Sequence, residues 1–529
     1  MAYSRTERVA GVLVPLFSLR SERGWGIGEI PDLKGFSDWL ADAGHGLLQL
    51  LPVNEVAPGE NSPYASMSAF ALDPMYLSLS DIEDFQAAGG EQALDAGRRA
   101  RLEAVREAPR VDYDAVRELK RHALRLAFER FCEHESARGS RRAAAFDSFV
   151  EEHAGWLRDY ALFRALHHRY ESHWESWPAE LRQRQPQALE EQQRALAHEI
   201  LFRQYLQWQA HLQWQEARHA AAQLGVQLKG DLPFMVSGHS ADVWAFQHQF
   251  RMDAWVGAPP DAFSVNGQNW GLPAYNWEAM AADDFAWLRG RARRAAELFD
   301  AYRVDHLVGF YRTYTIPRDR SQPYFSPGRE EEQHALGERL MGVFKSAGAV
   351  VMAEDLGTVP DFVRDSLARQ GAAGYKVLRW EREWHTPGQP FRDPAFYPEV
   401  SVACSGTHDT ETMAVWWEQI DGHERREVCR IPAMRSINPE ERFFTSTVHQ
   451  ALLEALYGAG SRYLVLPIQD VLGTRERINL PASVGPENWT YRLPVNISEM
   501  GSHPQWRQAF HRIAGCALRH GRSSAARAA

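Results

Sequence analysis

The sequence predicts an α/β fold, a (β/α)₈ TIM barrel that carries a large helical insertion and insertions in its active-site loops. Three observations support this. Eight short apolar runs end at polar or Gly-rich turns, helical patterns lie between them, and one long block, residues 82–222, breaks the rhythm. Near-continuous apolar runs suit strands buried on both faces, and their alternation with helices implies a parallel sheet. Eight such units are the number that closes a barrel.

The eight predicted strands lie within residues 11–17, 46–52, 225–234, 301–306, 349–357, 374–380, 400–409 and 463–473. The first run follows Arg5 and Arg8, as the core of a signal peptide would. It contains Pro15 and lacks a small-residue cleavage site, so we interpret it as a buried strand. No run approaches the roughly 20 apolar residues of a membrane span.

The block at 82–222 predicts a helical insertion subdomain, and residues 1–81 and 223–529 then form the catalytic barrel. Good helix formers dominate the block. Apolar side chains recur in it at helical spacing, as in Leu201, Tyr205, Trp208 and Leu212. A coiled-coil partner surface is the alternative, but His and Trp interrupt any sustained heptad.

A second irregular stretch, residues 255–277, carries Pro-Pro, glycines and three Trp. This composition predicts an ordered loop rather than a helix. Long loops in compact domains are usually functional, so we expect this one to border the active site.

Composition excludes several classes of function. The net charge is −10 with a pI near 6.1, and the basic residues are scattered among acidic ones. This argues against a nucleic-acid surface. The cysteines lie far apart without a CxxC pair, which predicts neither a disulfide framework nor a zinc site and favours a reducing cytoplasm. They are Cys132, Cys404, Cys429 and Cys516.

Three carboxylates end predicted strands. Asp305 ends the fourth, Glu354 the fifth and Asp409 the seventh. The active site of a parallel barrel lies at the carboxyl ends of its strands, so these acids should converge. Strand alternation places Arg303 on the same face as Asp305, where its charge favours the ionised carboxylate. For an isolated Arg-x-Asp, a structural ion pair is the alternative.

Glycoside cleavage needs one protonated and one ionised carboxyl group. Glu354 follows the apolar run "AVVMA", which should raise its pKa by desolvation and keep it protonated. Asp355 is adjacent and should point to the opposite face. Either residue could instead cap the next helix, because "EDLGTVPDFV" is also typical of a helix start.

Several longer segments, in this order, resemble the signature blocks of the 4-α-glucanotransferases called amylomaltases or disproportionating enzymes, glycoside hydrolase family 77. The segments are "PLFSLRSERGWGIGEI" at 15–30, "SPYASMSAFALDP" at 62–74, "GDLPFMVSGHSADVWAF" at 230–246, "PPDAFSVNGQNWGLPAYNW" at 259–277, "RVDH" at 303–306, "AEDLG" at 353–357, "GTHDTET" at 406–412 and "LPIQDVLGTRERINLP" at 466–481. The resemblance extends from about residue 11 to 495. So many linked blocks in one order make it highly specific.

The resemblance implies a retaining double displacement in which Asp305 is the nucleophile, Glu354 the acid and base, and Asp409 the transition-state stabiliser. It implies substrate binding by Ser62, Tyr64, Asp261, Phe263, Gln268, Trp270, Arg303, His306, His408 and Asn479.

The chain departs from the family pattern at three places. The family reads D-H-F-R-G-F where this chain has Leu307 and Val308, and residues 320–333 replace a Trp-rich segment. After the sixth strand the family places an acid in an F-D-G turn, which leaves Glu381 and Glu383 as substitutes here. These changes bear on acceptor preference and on the range of chain lengths.

We therefore expect a 4-α-glucanotransferase that moves α-1,4-glucan segments from a maltooligosaccharide or α-glucan donor to a glucose or glucan acceptor. The alternatives are an α-1,4-glucan hydrolase with the same acids and a non-catalytic glucan-binding protein. Histidines beside Asp, rather than in H-x-H or H-E-x-x-H spacing, predict no metal. We expect no organic cofactor, no nucleic acid and no membrane, and the sequence indicates no particular oligomeric state.

Overall fold

A computed structural model describes residues 7–260, 266–481, 483 and 485–523. Over these residues the chain forms twelve strands. They are β1 (Val9–Leu13), β2 (Leu47–Gln49), β3 (Gln227–Leu232), β4 (Phe250–Ala258), β5 (Gln268–Tyr275), β6 (Ala301–Val304), β7 (Thr313–Pro317), β8 (Tyr324–Ser326), β9 (Val350–Ala353), β10 (Ala373–Val377), β11 (Ser401–Cys404) and β12 (Tyr463–Pro467).

Eight of these strands close a parallel barrel in the order β1, β2, β3, β6, β9, β10, β11 and β12, and β12 pairs with β1. Each apolar run identified in the sequence supplies one of them, so the predicted (β/α)₈ barrel is confirmed. The strands pack tightly at Gly11, which lies opposite Leu47. A Cβ on Gly11 would lie 2.4 Å from the Leu47 carbonyl oxygen, so a side chain there would push the two strands apart.

Helices surround the barrel, and polar side chains cap several of them. Asp112, for example, accepts a hydrogen bond from Ala115 N at the start of one long helix. No helix within the described ranges is long and apolar enough to cross a membrane. The α-helices are α1 (Asp32–Asp42), α2 (Glu83–Ala87), α3 (Ala96–Glu107), α4 (Tyr113–His134), α5 (Arg141–Glu152), α6 (Ala154–Tyr170), α7 (Ala179–Arg182), α8 (Pro186–Ala195), α9 (Ala197–Gln223), α10 (Ala241–Ala245), α11 (Trp277–Ala282), α12 (Ala286–Leu298), α13 (Val308–Tyr311), α14 (Glu330–Lys345), α15 (Asp361–Arg369), α16 (Met413–Gln419), α17 (Gly422–Val428), α18 (Ser446–Tyr457), α19 (Ile468–Leu472) and α20 (Pro504–Arg519).

The block between β2 and β3 is helical, from α2 to α9. On α9, Tyr205 and Trp208 are buried and pack against Phe131 of α4. Leu212 does not continue this buried face, because its side chain is 46% exposed. The division of the chain into a barrel and a helical insertion subdomain at 82–222 stays a prediction.

The stretch predicted to be an ordered loop, residues 255–277, consists largely of strand. β4 and β5 pair antiparallel, and β4 also pairs with β7, giving a second sheet in the order β5, β4, β7, β8. The loop prediction was wrong because the backbone N–H and C=O groups of these residues are hydrogen-bonded to neighbouring strands. Val256 lies opposite Leu272 on one side and Thr315 on the other. Residues 261–265 lie outside the described part.

Candidate active site

The centre of the site is Arg303, near the carboxyl end of β6. The Nη2 atom of Arg303 lies 2.8 Å from Asp305 Oδ1 and 3.9 Å from Glu354 Oε2. Burial lowers the pKa of this guanidinium, but Asp231 and Asp305 outweigh burial and raise it well above its ordinary value. A permanent cation therefore lies between two acids that the sequence placed at the ends of different strands.

Glu354 follows β9 and is 9% exposed. Its Oε2 accepts a hydrogen bond from His306 N at 2.9 Å, and its Oε1 accepts one from Leu356 N at 2.8 Å. Burial is the main cause that raises the pKa of Glu354 to about 7; Arg303 opposes the rise, and the charge of Asp305 adds to it. Glu354 can therefore hold a proton near neutral pH.

Asp409 follows β11 in a polar setting. Asn479 Nδ2 donates to Asp409 Oδ1 at 2.6 Å, and His408 Nε2 lies 3.2 Å from Oδ2. Burial raises the pKa of Asp409, but His408 and the Asn479 amide outweigh burial and lower it to about 2. Burial likewise lowers the pKa of His408, yet Asp409 raises it above its ordinary value. Asp409 is therefore held as an anion, and 43% of its side chain remains exposed.

Tyr64 contacts both Asp231, which holds Arg303, and His408, which holds Asp409. Its ring stacks on His408, with centroids 5.1 Å apart and an interplanar angle of 20°. Trp489 lies against both rings at 5.8 Å. The Tyr64 hydroxyl donates to Asp231 Oδ2 at 2.8 Å. Ser62 supports this segment, since its Oγ accepts a hydrogen bond from Tyr64 N at 3.4 Å.

The second sheet contributes an aromatic side chain to the site, Trp270 of β5. The Trp270 ring meets His306 edge-on with centroids 4.8 Å apart, and Trp270 Nε1 donates to Gln268 Oε1 at 3.0 Å. His306 has a positive φ of 43°, a conformation that favours glycine and turns the chain sharply after Asp305. Burial lowers the pKa of His306 to about 4, so its imidazole is neutral at pH 7.

A family model described as 4-alpha-glucanotransferase matches residues 14–497 of the 529. The chain belongs to this family. It is 35% identical over 501 residues to the 4-alpha-glucanotransferase of Thermus thermophilus, covering 92% of this chain and 95% of that one. Identity to the 4-alpha-glucanotransferase of Chlamydia pneumoniae is 31% over 514 residues, covering 95% and 94%.

The fold of the enzyme matches the amylomaltase from Streptococcus agalactiae solved in complex with acarbose. The TM-score is 0.82 at 26% identity, and the match covers 98% of this chain and all of that one. Together these matches identify the enzyme as a 4-alpha-glucanotransferase. They agree with the resemblance that the sequence motifs carried.

Asp231 was missed among the site residues of the glucanotransferase. It lies on β3, is 4% exposed, and accepts hydrogen bonds from Arg303 Nη1 at 2.8 Å on both oxygens. It thus holds Arg303 from one side while Asp305 holds it from the other. The signal was present in the sequence. The third apolar run carries an acid near its end, in "GDLPF", as the fourth, fifth and seventh runs do at theirs.

Beneath Asp231 the barrel of the enzyme holds a second polar layer, also missed. Lys229 Nζ donates to the Tyr375 hydroxyl at 2.8 Å, and that hydroxyl lies 3.4 Å from Gln49 Oε1. Burial lowers the pKa of Lys229 to about 7, and Asp231 opposes the shift. The signal was a lysine in the middle of a strand whose residues are nearly all buried.

The remaining predicted residues of the enzyme fall into three groups. Asp261 and Phe263 lie outside the described residues. Leu307 and Val308, where the chain departs from the family pattern, are buried in the core. Glu381 lies 3.5 Å from Lys376 Nζ, and Glu383 is exposed and accepts a hydrogen bond from Thr386 Oγ1. Glu381 thus contacts β10 itself, and Glu383 contacts the segment that follows it.

Proposed function

We propose that the enzyme transfers α-1,4-glucan segments between maltooligosaccharides by a retaining double displacement. Asp305 is the nucleophile, Glu354 is the acid and base, and Asp409 stabilises the transition state. The observation that carries this proposal is the arrangement around Arg303. One guanidinium lies beside both Asp305 and Glu354, and burial raises the pKa of Glu354 to about 7.

The spacing of Asp305 and Glu354 fits a retaining enzyme. The carboxyl groups of retaining enzymes lie about 5–5.5 Å apart, and those of inverting enzymes about 6.5–9.5 Å. Asp305 and Glu354 each have an oxygen near the same Arg303 nitrogen, at 2.8 Å and 3.9 Å. These oxygens can therefore be no farther apart than the sum of the two distances, which reaches only the lower edge of the inverting range.

In the first step an Asp305 oxygen attacks the anomeric carbon, and the bond to the leaving glycosidic oxygen breaks. Glu354 gives its proton to that oxygen, so the fragment leaves as an alcohol and a β-glucosyl ester remains on Asp305. In the second step the 4-hydroxyl of an acceptor glucan attacks the ester, and Glu354 takes up its proton. Two inversions restore the α-configuration.

The surrounding side chains suit a sugar. Aromatic rings pack on sugar C–H faces, while carboxylate and amide groups bind hydroxyls. Tyr64 offers a ring beside His408 and Trp270 offers one beside His306. Asp409 is a partly exposed anion held by Asn479. We propose that substrate contacts come from Ser62, Tyr64, Gln268, Trp270, Arg303, His306, His408, Asp409 and Asn479.

We place the reaction in the cytoplasm. Cys132, Cys404, Cys429 and Cys516 are all free thiols, which fits a reducing compartment. The donor is an α-1,4-glucan such as maltotriose, and the acceptor is glucose or a second glucan.

The test is the product profile with maltotriose. Transfer predicts glucose together with oligomers longer than maltotriose, whereas hydrolysis predicts glucose and maltose alone. Asp305→Ala should abolish both patterns. Glu216→Gln is the matched control, since it removes an exposed carboxylate on α9 that has no place in the site, and it should keep the wild-type profile. Full activity in Asp305→Ala would overturn the assignment of the nucleophile.

A further inference from the structure

A cavity of about 270 Å³ lies apart from the catalytic carboxylates, between the segment that follows β2 and the helices α4, α6 and α9. Five of its lining residues are Arg or Lys, and two more are His. Apolar side chains, among them Leu124, Phe202 and Leu206, complete its walls. A polar pocket of this kind with apolar walls is typical of a site for a small charged molecule.

Arg203 of α9 is the central group. Its side chain is buried, with 7% of the residue exposed, and its Nε atom has no hydrogen-bond partner. Only its other end is paired, with Glu199. Leaving a buried charged donor unpaired costs free energy. A ligand with acceptor oxygens in the cavity would remove that cost.

A second buried guanidinium faces the same space. Arg164 of α6 also lines the cavity and is 7% exposed. Burial lowers the pKa of Arg203, and the charge of Arg164 is the next cause. Burial followed by Arg164 likewise lowers the pKa of His167 to about 4. The charge of Arg164 therefore reaches both Arg203 and His167 across this part of the protein.

The buried acids of the cavity form no ion pair with Arg203, because each is held by other partners, although the charge of Glu55 offsets part of the charge on Arg203. Glu55 pairs with Arg164 at 2.9 Å and accepts the Tyr160 hydroxyl. Asp73 accepts the backbone N–H groups of Val56 at 3.2 Å and Met75 at 2.9 Å. Of the two exposed acids, Glu118 pairs with Arg101 outside the cavity and Asp114 lies 3.8 Å from Arg117.

We propose that this cavity binds a phosphorylated monosaccharide, with its phosphate group on Arg203 and its sugar ring against the apolar wall. A guanidinium presents a fork of N–H donors that matches phosphate oxygens. Phe202 and the two leucines suit the C–H face of a sugar. Arg121 is exposed at the lining, where the cavity meets solvent and a ligand can enter.

The cavity borders the active-site segment. Glu55 and Asp73, which line it, lie on either side of Tyr64 in the sequence, and Glu55 N and Ala71 O are hydrogen-bonded at 3.1 Å. The base of the segment that presents Tyr64 is therefore in contact with the ligand site. This binding is separate from glycosyl transfer and stands whether or not the proposed mechanism does.

Binding is measured by calorimetry and by the melting temperature of the full chain, with glucose 6-phosphate, inorganic phosphate and glucose as probes. We expect glucose 6-phosphate to bind and to raise the melting temperature. Inorganic phosphate should bind more weakly because it lacks the sugar contacts. Arg203→Met should weaken glucose 6-phosphate binding roughly tenfold or more, since it removes a charge-assisted contact.

Arg218→Met is the matched control. Arg218 lies on the same helix α9, pairs with Asp300 and does not line the cavity, so this variant should bind glucose 6-phosphate as the wild type does. Arg203→Lys keeps the charge without the fork and should bind between the wild type and Arg203→Met. This second variant covers the case in which Arg203→Met fails to fold.

Two results would overturn the proposal. Equal affinity for glucose and glucose 6-phosphate, unchanged in both Arg203 variants, would place the sugar in the active site instead. Equal affinity for inorganic phosphate and glucose 6-phosphate would show an anion site with no selectivity for a sugar.

Discussion

The protonation of Glu354 should set the alkaline side of the pH profile. Its pKa lies at about 7, and the first chemical step needs the protonated form. The rate therefore falls as the pH rises through 7. At pH 8, one unit above that pKa, roughly a tenth of the enzyme holds the proton, so kcat/KM for maltotriose should fall to about a tenth of its plateau.

Two perturbations isolate this group. Glu354→Gln cannot titrate and cannot donate, so its kcat/KM should fall by about 10²- to 10⁴-fold and show no alkaline decline. A maltosyl fluoride donor, whose leaving group needs no proton, should lose the alkaline decline of the first step even in the wild type. The assay is the initial rate of glucose or fluoride release between pH 5 and 9. A decline near pH 7 that persists in Glu354→Gln would refute the assignment of this pKa to Glu354.

Three further outcomes follow from the same contacts. Asp231→Asn weakens the two hydrogen bonds between Arg303 and residue 231, so kcat/KM for maltotriose should fall about 10- to 100-fold. An unchanged circular dichroism spectrum shows that the variant is folded. Asn479→Ala removes the 2.6 Å hydrogen bond to Asp409 and should lower kcat/KM about tenfold, while His408 still lowers the pKa of Asp409 and keeps it ionised at neutral pH. Trp214→Ala empties a fully buried site and removes the bond from Nε1 to Leu298 O; urea denaturation should show about 3–5 kcal/mol less free energy of unfolding.

The barrel could be predicted from the sequence because its strands are buried on both faces. Each one is a short apolar run with a polar end, and eight of them alternate with helices. The same pattern places Asp305, Glu354 and Asp409 at one end of the barrel. Their convergence follows from topology alone, and Arg303 supplies the contact that joins the first two.

The second sheet could not be predicted in the same way. β4 and β5 contain Gly and Pro, and their order depends on pairing with β7, about 40 residues farther along the chain than β5. Local composition does not report such a partner. The burial of Arg203 could not be predicted from local sequence either, because it depends on how α4, α6 and α9 pack together. Leu212 shows the converse, since helical spacing marked it as buried and the packing leaves it exposed.

The account rests on a covalent bond to Asp305, and trapping that bond tests it most directly. Glu354→Gln is incubated with maltosyl fluoride. This donor can form the ester on Asp305 without an acid, but the variant lacks the base that transfers the maltosyl group efficiently to an acceptor. The protein is then digested and analysed by mass spectrometry. We predict a maltosyl group on the peptide containing residues 301–309, attached at Asp305. A maltosyl group on another carboxylate, or turnover of the donor with inversion and no adduct, would contradict the account.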